Sequence, residues 1–378
     1  AKAKEMKANG IDVVGFGAGE PDFNTPKNIC DAAVKALDEG FTKYTPVAGT
    51  LELRKAICDK FLKFNNIKYE PDQIVVSNGG KHSLANVFSA ILNPGDEVII
   101  PAPYWLSYPE MVRLSDGVPV YIRADKSQNY KVTAKQIEEA CTEKTKAFIL
   151  NSPNNPSGMV YTKEELEAIA EVAIKKDFYV VSDEMYEYLI YGDEKHVSIA
   201  SLNDEIYKRT ITCSGLSKSY SMTGWRIGYT GSTKEIAKLM SSVQSHLASN
   251  PNSIAQKAAY EALTGPQDFV QEMKNEFEKR RDYMYERIAA MKHVSALKPQ
   301  GAFYMFVDIG KVLDMSYKGQ KIGNVDTMAN ILLEDYKVAV IACNDFGFDD
   351  HIRLSYAISL EQIKKGLDRI EKFLEDIS

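Results

Sequence analysis

Short apolar runs alternate with amphipathic stretches through the first two thirds of the chain. Helical periodicity between the runs, as at residues 84–92 and 163–175, predicts βαβ units and therefore an α/β fold with a mostly parallel sheet. Such sheets bind ligands at the carboxyl ends of their strands, so we expect the chemistry in the turns that follow them. The runs that predict strands are residues 73–76, 97–100, 147–150, 178–181 and 210–213.

The pattern changes near residue 265, beyond which charged helical segments dominate. Periodicity predicts a long helix over residues 269–291, a strand over 301–307 and a closing helix over 360–374. A chain of 378 residues exceeds one ordinary core, so we expect a large domain and a smaller α+β domain. The two expected domains are residues 30–265 and residues 1–29 with 266–378.

Composition and charge exclude several classes of function. The chain is 44% hydrophobic and 26% charged, with a net charge of −6, which is typical of a globular protein and unfavourable for binding nucleic acid or an anionic membrane. No apolar run of about 18 residues occurs, and the first residues are not apolar, so neither a membrane span nor a signal peptide is predicted. Five scattered cysteines without a CxxC pair favour neither a zinc site nor disulfides, and they fit a cytoplasmic protein without a bound metal.

Two turns after predicted strands offer places for a flat, anionic ligand. Gly79 and Gly80 precede an amphipathic helix, whose free N–H groups and dipole favour a phosphate or carboxylate, although an ordinary strand-to-helix turn has the same composition. Trp105 follows the next strand and is placed to cover a ligand ring, although a tryptophan is more often part of a core. Neither segment has a GxGxxG or Walker pattern, so no nucleotide site is predicted.

Polar side chains also follow the next two strands. Asn155 lies in a turn rich in proline, asparagine and glycine at residues 151–158, which would fix its amide in place. Asp183 follows the apolar run at 178–181. A carboxylate there is costly unless it caps a backbone group or meets a positive partner, and a protonated ring nitrogen would be such a partner.

The segment with the most chemical information is residues 214–229, SGLSKSYSMTGWRIGY. Lys218 lies among small residues and few charges, where desolvation or cationic neighbours would lower the pKa of its amine and make it a nucleophile for an aldehyde. Arg226 follows on the same segment and is suited to clamp a phosphate. Arg353 alternates with apolar residues at 351–356, which predicts a buried arginine with a carboxylate partner.

Together these segments resemble the class I/II aminotransferases of pyridoxal 5'-phosphate (PLP) fold type I, and most closely the bacterial aspartate aminotransferase branch called subgroup Iγ. The resemblance runs from GFGAGEPDF at residues 15–23 almost to the end of the chain. It implies a large domain with a mostly parallel seven-stranded sheet between helices, and a smaller α+β domain. Its motifs are SPNNP at 152–156, SDE at 182–184, SK at 217–218 and GWRIG at 224–228.

The resemblance also implies a role for each matching residue. PLP would form a Schiff base with Lys218, which would later move the substrate proton, and Asp183 would hold the ring N–H. Arg353 would clamp the substrate α-carboxylate, with the backbone near Gly19 closing over it. The other implied contacts join the ring oxygen to Asn155 and Tyr186, the ring face to Trp105, and the phosphate to Gly79, Gly80, Arg226 and Ser214 or Ser217.

Two further residues bear on assembly and substrate. Tyr44 is similar to the tyrosine that reaches the phosphate of the partner subunit, which implies a homodimer with shared sites. Lys81 occupies the place of a lysine that contacts the distal carboxylate of aspartate in this branch. A cation is unfavourable at a helix N-terminus without such a reason, although a solvated lysine is the alternative. The expected reaction transfers the amino group of aspartate to 2-oxoglutarate.

Other functions stay open, because a fold does not determine a reaction. An aromatic or prephenate aminotransferase and a C–S β-lyase are alternatives on the same fold. A non-catalytic regulator would need a DNA-binding segment with a basic face, and the sequence has neither. A dinucleotide-dependent dehydrogenase would need a GxGxxG turn after a first strand, which is also missing.

Overall fold

The computed structural model describes residues 2–378. Its framework consists of β-strands. All five strands predicted from apolar runs are present, with ends shifted by at most two residues. In chain order the strands are β1 (Val14–Gly15), β2 (Ile74–Ser77), β3 (Glu97–Ala102), β4 (Val118–Arg123), β5 (Thr145–Asn151), β6 (Tyr179–Asp183), β7 (Thr210–Gly215), β8 (Gly228–Gly231), β9 (Ser295–Ala296), β10 (Tyr304–Asp308), β11 (Ser316–Tyr317), β12 (Gln320–Lys321), β13 (Val338–Ala339), β14 (Ile341–Ala342) and β15 (His351–Ser355).

Helices connect most of these strands. The helix predicted at 84–92 begins earlier, because the Gly79–Gly80 turn leads directly into it. No helix within residues 2–378 combines the length and apolar character needed to cross a membrane. The helices are α1 (Lys2–Ala8), α2 (Lys27–Asp38), α3 (Leu51–Asn65), α4 (Gly80–Ile91), α5 (Ser107–Leu114), α6 (Ala134–Ala140), α7 (Lys163–Lys176), α8 (Asp204–Arg209), α9 (Lys234–Leu247), α10 (Ser253–Thr264), α11 (Asp268–Ala290), α12 (Gly310–Leu313), α13 (Val325–Glu334) and α14 (Leu360–Asp376).

The central sheet has seven strands in the order β2-β8-β7-β6-β5-β3-β4. Strands β7, β6, β5, β3 and β4 pair in parallel, whereas β8 is antiparallel to both of its neighbours, β7 and β2. The expected mostly parallel, seven-stranded α/β sheet is therefore confirmed.

Two strands of this sheet lack an apolar signal in the sequence. β4 is an edge strand whose residues are exposed or half-buried, so its composition is mixed. β8 is only four residues long and contains two glycines. Gly228 is required there, because a side chain would collide with the backbone of Gly79 and Gly80. β8 thus brings the end of the Lys218 segment beside the Gly79 turn.

The C-terminal part forms a second body around a four-stranded antiparallel sheet, β14-β15-β10-β9. The strand predicted at 301–307 begins at Tyr304, since Gly301 instead forms an isolated bridge with Ile190. The N-terminal segment joins this body: β1 pairs in parallel with β13, and Val14 and Phe16 are fully buried in the same apolar cluster. The domain boundaries near residues 30 and 265 stay a prediction.

Candidate active site

A cleft of about 360 Å³ lies at the carboxyl ends of the parallel strands. β5 and β6 end side by side there, with Asn151 opposite Asp183. The C-terminal body contributes Ile341 and Arg353 to its wall. The residues predicted from the sequence that line the cleft are Gly19, Gly80, Lys81, Trp105, Asn155, Asp183, Tyr186, Ser217, Lys218, Arg226 and Arg353.

Lys218 lies in the loop that follows β7. Its amine donates to the carbonyl of Gly19 and lies 5.9 Å from the centre of the Phe303 ring. Burial lowers the pKa of Lys218 to about 8; Glu20 opposes this shift and Arg353 reinforces it. An appreciable fraction of the amine is therefore uncharged near neutral pH, as a nucleophile or base requires.

Asp183 ends β6 and is buried. Its Oδ2 accepts a hydrogen bond from the Tyr108 hydroxyl at 2.5 Å, and its Oδ1 accepts one from the Met185 N–H at 3.1 Å. Burial raises the pKa of Asp183 to about 6, although both hydrogen bonds favour the ionised form. A positive group in the cleft would therefore be a favourable partner for this carboxylate.

Arg353 comes from β15 and is buried, as its alternation with apolar residues predicts. Its Nη1 donates to Oδ1 of Asn155 at 3.0 Å, and its guanidinium lies 4.2 Å from the centre of the Tyr304 ring. The Tyr304 hydroxyl is in turn 2.9 Å from that of Tyr186. The Nε of Arg353 is buried without a hydrogen-bond partner, so the guanidinium retains capacity to bind a carboxylate.

The turn between β2 and α4 forms an anion seat with Arg226. Gly79 has a φ of +89°, a conformation that favours glycine. A side chain at Gly79 would collide with the guanidinium of Arg226, which donates to the carbonyl of Thr223 at 2.8 Å. The first turn of α4 adds backbone N–H groups that have no partner within the helix. Such an arrangement suits a phosphate.

Lys81 and Trp105 lie together on the cleft wall. The Lys81 Nζ is 5.0 Å from the centre of the Trp105 ring, which is the distance of a cation–π contact. Trp105 packs edge-to-face on Tyr108, with ring centres 5.4 Å apart. Tyr108 thereby connects the Trp105 wall to Asp183.

Three predicted residues lie outside the lining of the cleft. Gly79 lies against Arg226, as described above. The Ser214 hydroxyl donates to Oε1 of Glu187 at 2.6 Å, so of the two candidate serines only Ser217 lines the cleft. Tyr44 is 89% exposed, which is compatible with a residue that acts on another subunit.

Sequence reasoning missed a buried polar network beside the cleft. The Lys60 ammonium contacts Glu187, Asn65 bridges Glu184 and Glu187, and the His196 Nε2 lies 2.7 Å from Glu184. Burial opposes a charge on His196, but attraction to Glu184 outweighs it and raises the pKa of His196. The carboxylate oxygens of Glu184 and Glu187 and a ring nitrogen of His196 lie within 4.8 Å of one another, but Glu187 is already paired with Lys60 and Glu184 with His196.

Comparison with known proteins gives a consistent picture. The model of the family described as aminotransferase class I and II matches residues 11–370. An aspartate aminotransferase of Bacillus sp. strain YM-2 is 51% identical over 99% of this chain and 95% of its own. An aspartate/prephenate aminotransferase of Cereibacter sphaeroides is 47% identical over 100% of this chain and 95% of its own. The crystal structure of the Rhizobium meliloti aspartate aminotransferase superposes with a TM-score of 0.97 at 42% identity, covering 100% of this chain and 95% of that one.

Proposed function

The chain belongs to the class I and II aminotransferases, whose cofactor is PLP, and on that premise we propose that it transfers the amino group of aspartate to 2-oxoglutarate. One observation carries the choice of substrate: besides Arg226 in the anion seat, two further cations, Arg353 and Lys81, line the same cleft as Lys218. A dicarboxylic amino acid would pair each cation with one carboxylate, whereas alanine would leave Lys81 without a partner.

The residues of the cleft fit PLP at each of its polar groups. The anion seat at Gly79 and Arg226 has no space for a side chain but offers donors, which suits the phosphate. Asp183 presents a buried carboxylate that a protonated ring nitrogen would neutralise. The remaining contacts that we propose are Asn155 and Tyr186 to the ring oxygen, Trp105 to the ring face, and Ser217 and Gly80 to the phosphate.

The mechanism assigns proton movements to residues of this chain. When bound, PLP supplies an electron sink for the negative charge that forms at the substrate Cα. Lys218 would remove the Cα proton and return it at the cofactor carbon, and its pKa of about 8 suits a group that must both accept and release a proton. Asp183 would hold the proton of the ring nitrogen through a charge-assisted hydrogen bond worth about 1.5–3 kcal/mol.

Substrate orientation would depend on Arg353. Its Nη1 is already fixed by Asn155, and its buried Nε has no partner, so the guanidinium can still donate to one carboxylate. The backbone near Gly19 would close over the bound α-carboxylate. Lys81 would bind the distal carboxylate and so select aspartate over amino acids with neutral side chains.

Amino transfer to prephenate is a second candidate, since one relative is named an aspartate/prephenate aminotransferase. Leu84, Leu106 and Phe346 add an apolar part to the cleft, which would accommodate an acceptor with a ring. Rates with prephenate and with 2-oxoglutarate, each measured against aspartate as the donor, would separate the two candidates.

The absorption spectrum of the PLP-loaded protein tests the proposal. Aspartate should convert the visible band of the bound aldehyde form into the near-ultraviolet band of the amine form, with release of one oxaloacetate per site, and 2-oxoglutarate should reverse the change. Release of ammonia, pyruvate and a thiol from a thioether amino acid such as cystathionine would instead indicate a C–S β-lyase. A spectrum that responds to aromatic amino acids but not to aspartate would contradict the proposed donor.

Assembly and location complete the proposal. We infer a homodimer in which Tyr44 of each subunit reaches the phosphate of the other, because its side chain projects from the surface. We also propose the division into residues 30–265 and residues 1–29 with 266–378, which the packing of Val14 and Phe16 supports. The five cysteines are all unpaired, which fits a reducing cytoplasm.

A further inference from the structure

Each carboxylate oxygen of Asp183 has one hydrogen-bond donor within the chain. The Met185 N–H reaches Oδ1 at 3.1 Å, and the Tyr108 hydroxyl reaches Oδ2 at 2.5 Å. The second distance is at the short end for an O–H group that donates to a carboxylate, where hydrogen bonds are strongest. Tyr108 is therefore the side chain that acts most directly on Asp183.

Tyr108 is held in position, and its hydroxyl acts as the donor in its hydrogen bond with Asp183. It lies in α5, is 1% exposed and packs edge-to-face on Trp105. Burial, reinforced by the charge of Asp183, raises the pKa of Tyr108 well above its ordinary value, so the phenol stays protonated. Asp183 consequently meets a permanent O–H donor.

The other titratable groups near Asp183 are engaged elsewhere. Glu184 accepts a hydrogen bond from the Ser198 hydroxyl and lies against His196. Tyr186 is paired with the hydroxyl of Tyr304, and Lys218 donates to the backbone of Gly19. The buried Cys213 thiol has a pKa well above its ordinary value, so it carries no charge. The basicity of Asp183 is thus set mainly by its burial and by Tyr108.

We propose that Tyr108 is a positioning residue that, by donating to Asp183, keeps the proton shared by Asp183 and the PLP ring on the ring nitrogen. This inference rests on the proposed function, in which Asp183 faces that nitrogen. A carboxylate that accepts a hydrogen bond is a weaker base, so the carboxylate–pyridinium arrangement is favoured over a carboxylic acid beside a neutral ring. A protonated ring is the stronger electron sink.

The test is Tyr108→Phe in the holoenzyme loaded with ring-¹⁵N PLP. The ¹⁵N resonance should move from the pyridinium range towards that of neutral pyridine. We expect kcat with aspartate to fall about ten- to a hundredfold, the effect that corresponds to the loss of one hydrogen bond to a charged group. The KM for aspartate should change far less, because Arg353 and Lys81 are untouched.

Tyr69→Phe is the matched control, since it also removes a buried hydroxyl, here 3.0 Å from Oγ1 of Thr212. The ¹⁵N resonance of the PLP ring in this variant should equal that in the wild type. A ring-fluorinated tyrosine at position 108 is a stronger donor of the same shape. It should move the resonance further towards the pyridinium range. If the phenylalanine variant does not fold, this variant alone tests whether Tyr108 controls protonation of the ring nitrogen. A resonance that is the same in all forms would overturn the role of Tyr108, whereas a wild type that fails to react with aspartate would overturn the proposed function itself.

Discussion

Lys218 is surrounded by groups that shift its pKa in opposite directions. Burial lowers it, Glu20 raises it, and the positive charges of Arg353 and Arg226 lower it again, with a net value of about 8. Glu20 is itself held by the Thr223 hydroxyl at 2.6 Å. An exposed lysine, with a pKa of about 10.4, would be protonated under the same conditions. The environment therefore makes this one amine reactive.

We predict that Lys218 in the PLP-free protein captures the cofactor aldehyde with a rate that rises with pH and has its midpoint near pH 8. Below that midpoint the amine is protonated and has no lone pair for attack. Stopped-flow absorbance across neutral to alkaline pH measures this rate. Glu20→Gln should lower the midpoint and Lys218→Ala should abolish the reaction. A midpoint at the ordinary lysine value would contradict the prediction.

Lys81 permits a test of substrate selection at a single residue. Lys81→Met retains length but removes the charge, so kcat/KM for aspartate should fall about ten- to a hundredfold while that for alanine changes little. Lys81→Arg retains a cation and should keep most of the preference for aspartate. If aspartate and alanine lose activity equally, Lys81 does not select the distal carboxylate.

At the residue scale, the sequence predicts which functional side chains lie at or after the ends of strands, but it does not predict which side chains contact them. Asp183 is recognisable because it ends an apolar strand, Asn155 because it follows one, and Arg353 because it alternates with apolar residues. Tyr108 lies 75 positions from the carboxylate that it contacts, so only tertiary packing reveals the pair. Similarly, spacing alone does not show that Ser217, and not the nearby Ser214, faces the cleft.

At the level of elements, burial decides which strands are predictable. β2, β3 and β5 are buried over most of their length, and their sequences accordingly contain the apolar runs IVV, VII and AFIL. The edge strand β4 and the short glycine-containing β8 lack that signal. The sequence thus predicts five of the seven strands, including the edge strand β2, while the opposite edge strand β4 and the antiparallel β8 follow only from the packed structure.

The buried polar network around Glu187 connects α3 to β6, which ends in Asp183, and to β7, which leads into the loop of Lys218. Lys60 and Asn65 belong to α3, and both contact Glu187, which lies in the turn after β6. Glu187 also accepts a hydrogen bond from Ser214 in β7. Attraction to Lys60 and His196 outweighs burial and lowers the pKa of Glu187, so this carboxylate stays charged and needs its partner.

We predict that Lys60→Met lowers the free energy of unfolding by about 3–5 kcal/mol, because it leaves the Glu187 carboxylate buried without its cation. Urea denaturation of the purified protein measures the change. Lys60→Met combined with Glu187→Gln should recover much of the loss, since no unpaired charge remains. Lys63→Met, at an exposed position of the same helix, should have little effect. A single variant as stable as the wild type would show that the pair does not brace the fold.

At the scale of the whole molecule, the N-terminal segment and the C-terminal body close the cleft together. Arg280 in α11 donates to both carboxylate oxygens of Asp22, at 2.8 and 3.0 Å. Phe23 packs edge-to-face on Phe277 of the same helix. The segment that contains Gly19, Asp22 and Phe23 is therefore fastened to the body that carries Arg353. Any movement of this body relative to Lys218 would carry both cleft residues with it.

The surface also has features of a subunit interface. Large hydrophobic side chains are exposed on α5, β4 and α9, among them Leu114 at 85% and Leu247 at 69%. Contiguous patches of exposed apolar side chains often mark protein interfaces, and a second subunit that covered these side chains would remove them from water. Together with the projecting Tyr44, they support the proposed homodimer with shared sites.

Hybrid dimers provide the sharpest test of shared sites. Tyr44→Phe should weaken PLP binding about ten- to a hundredfold by removing one hydrogen bond to the phosphate, and Lys218→Ala should be inactive. In a hybrid of the two chains, the site with an intact Lys218 receives the intact Tyr44 of its partner. Mixing the two variants under conditions of subunit exchange should therefore restore activity at limiting PLP, up to one functional site per hybrid.

The control for this experiment pairs two defects that belong to the same subunit's site. Arg226 and Lys218 line one cleft within a chain, so a hybrid of Arg226→Ala and Lys218→Ala chains contains one damaged site of each kind and should gain no activity. Native mass spectrometry would verify that hybrids form in both mixtures. If verified hybrids of Tyr44→Phe and Lys218→Ala chains gain no more activity than this control, each site is complete within one chain and Tyr44 does not cross the interface.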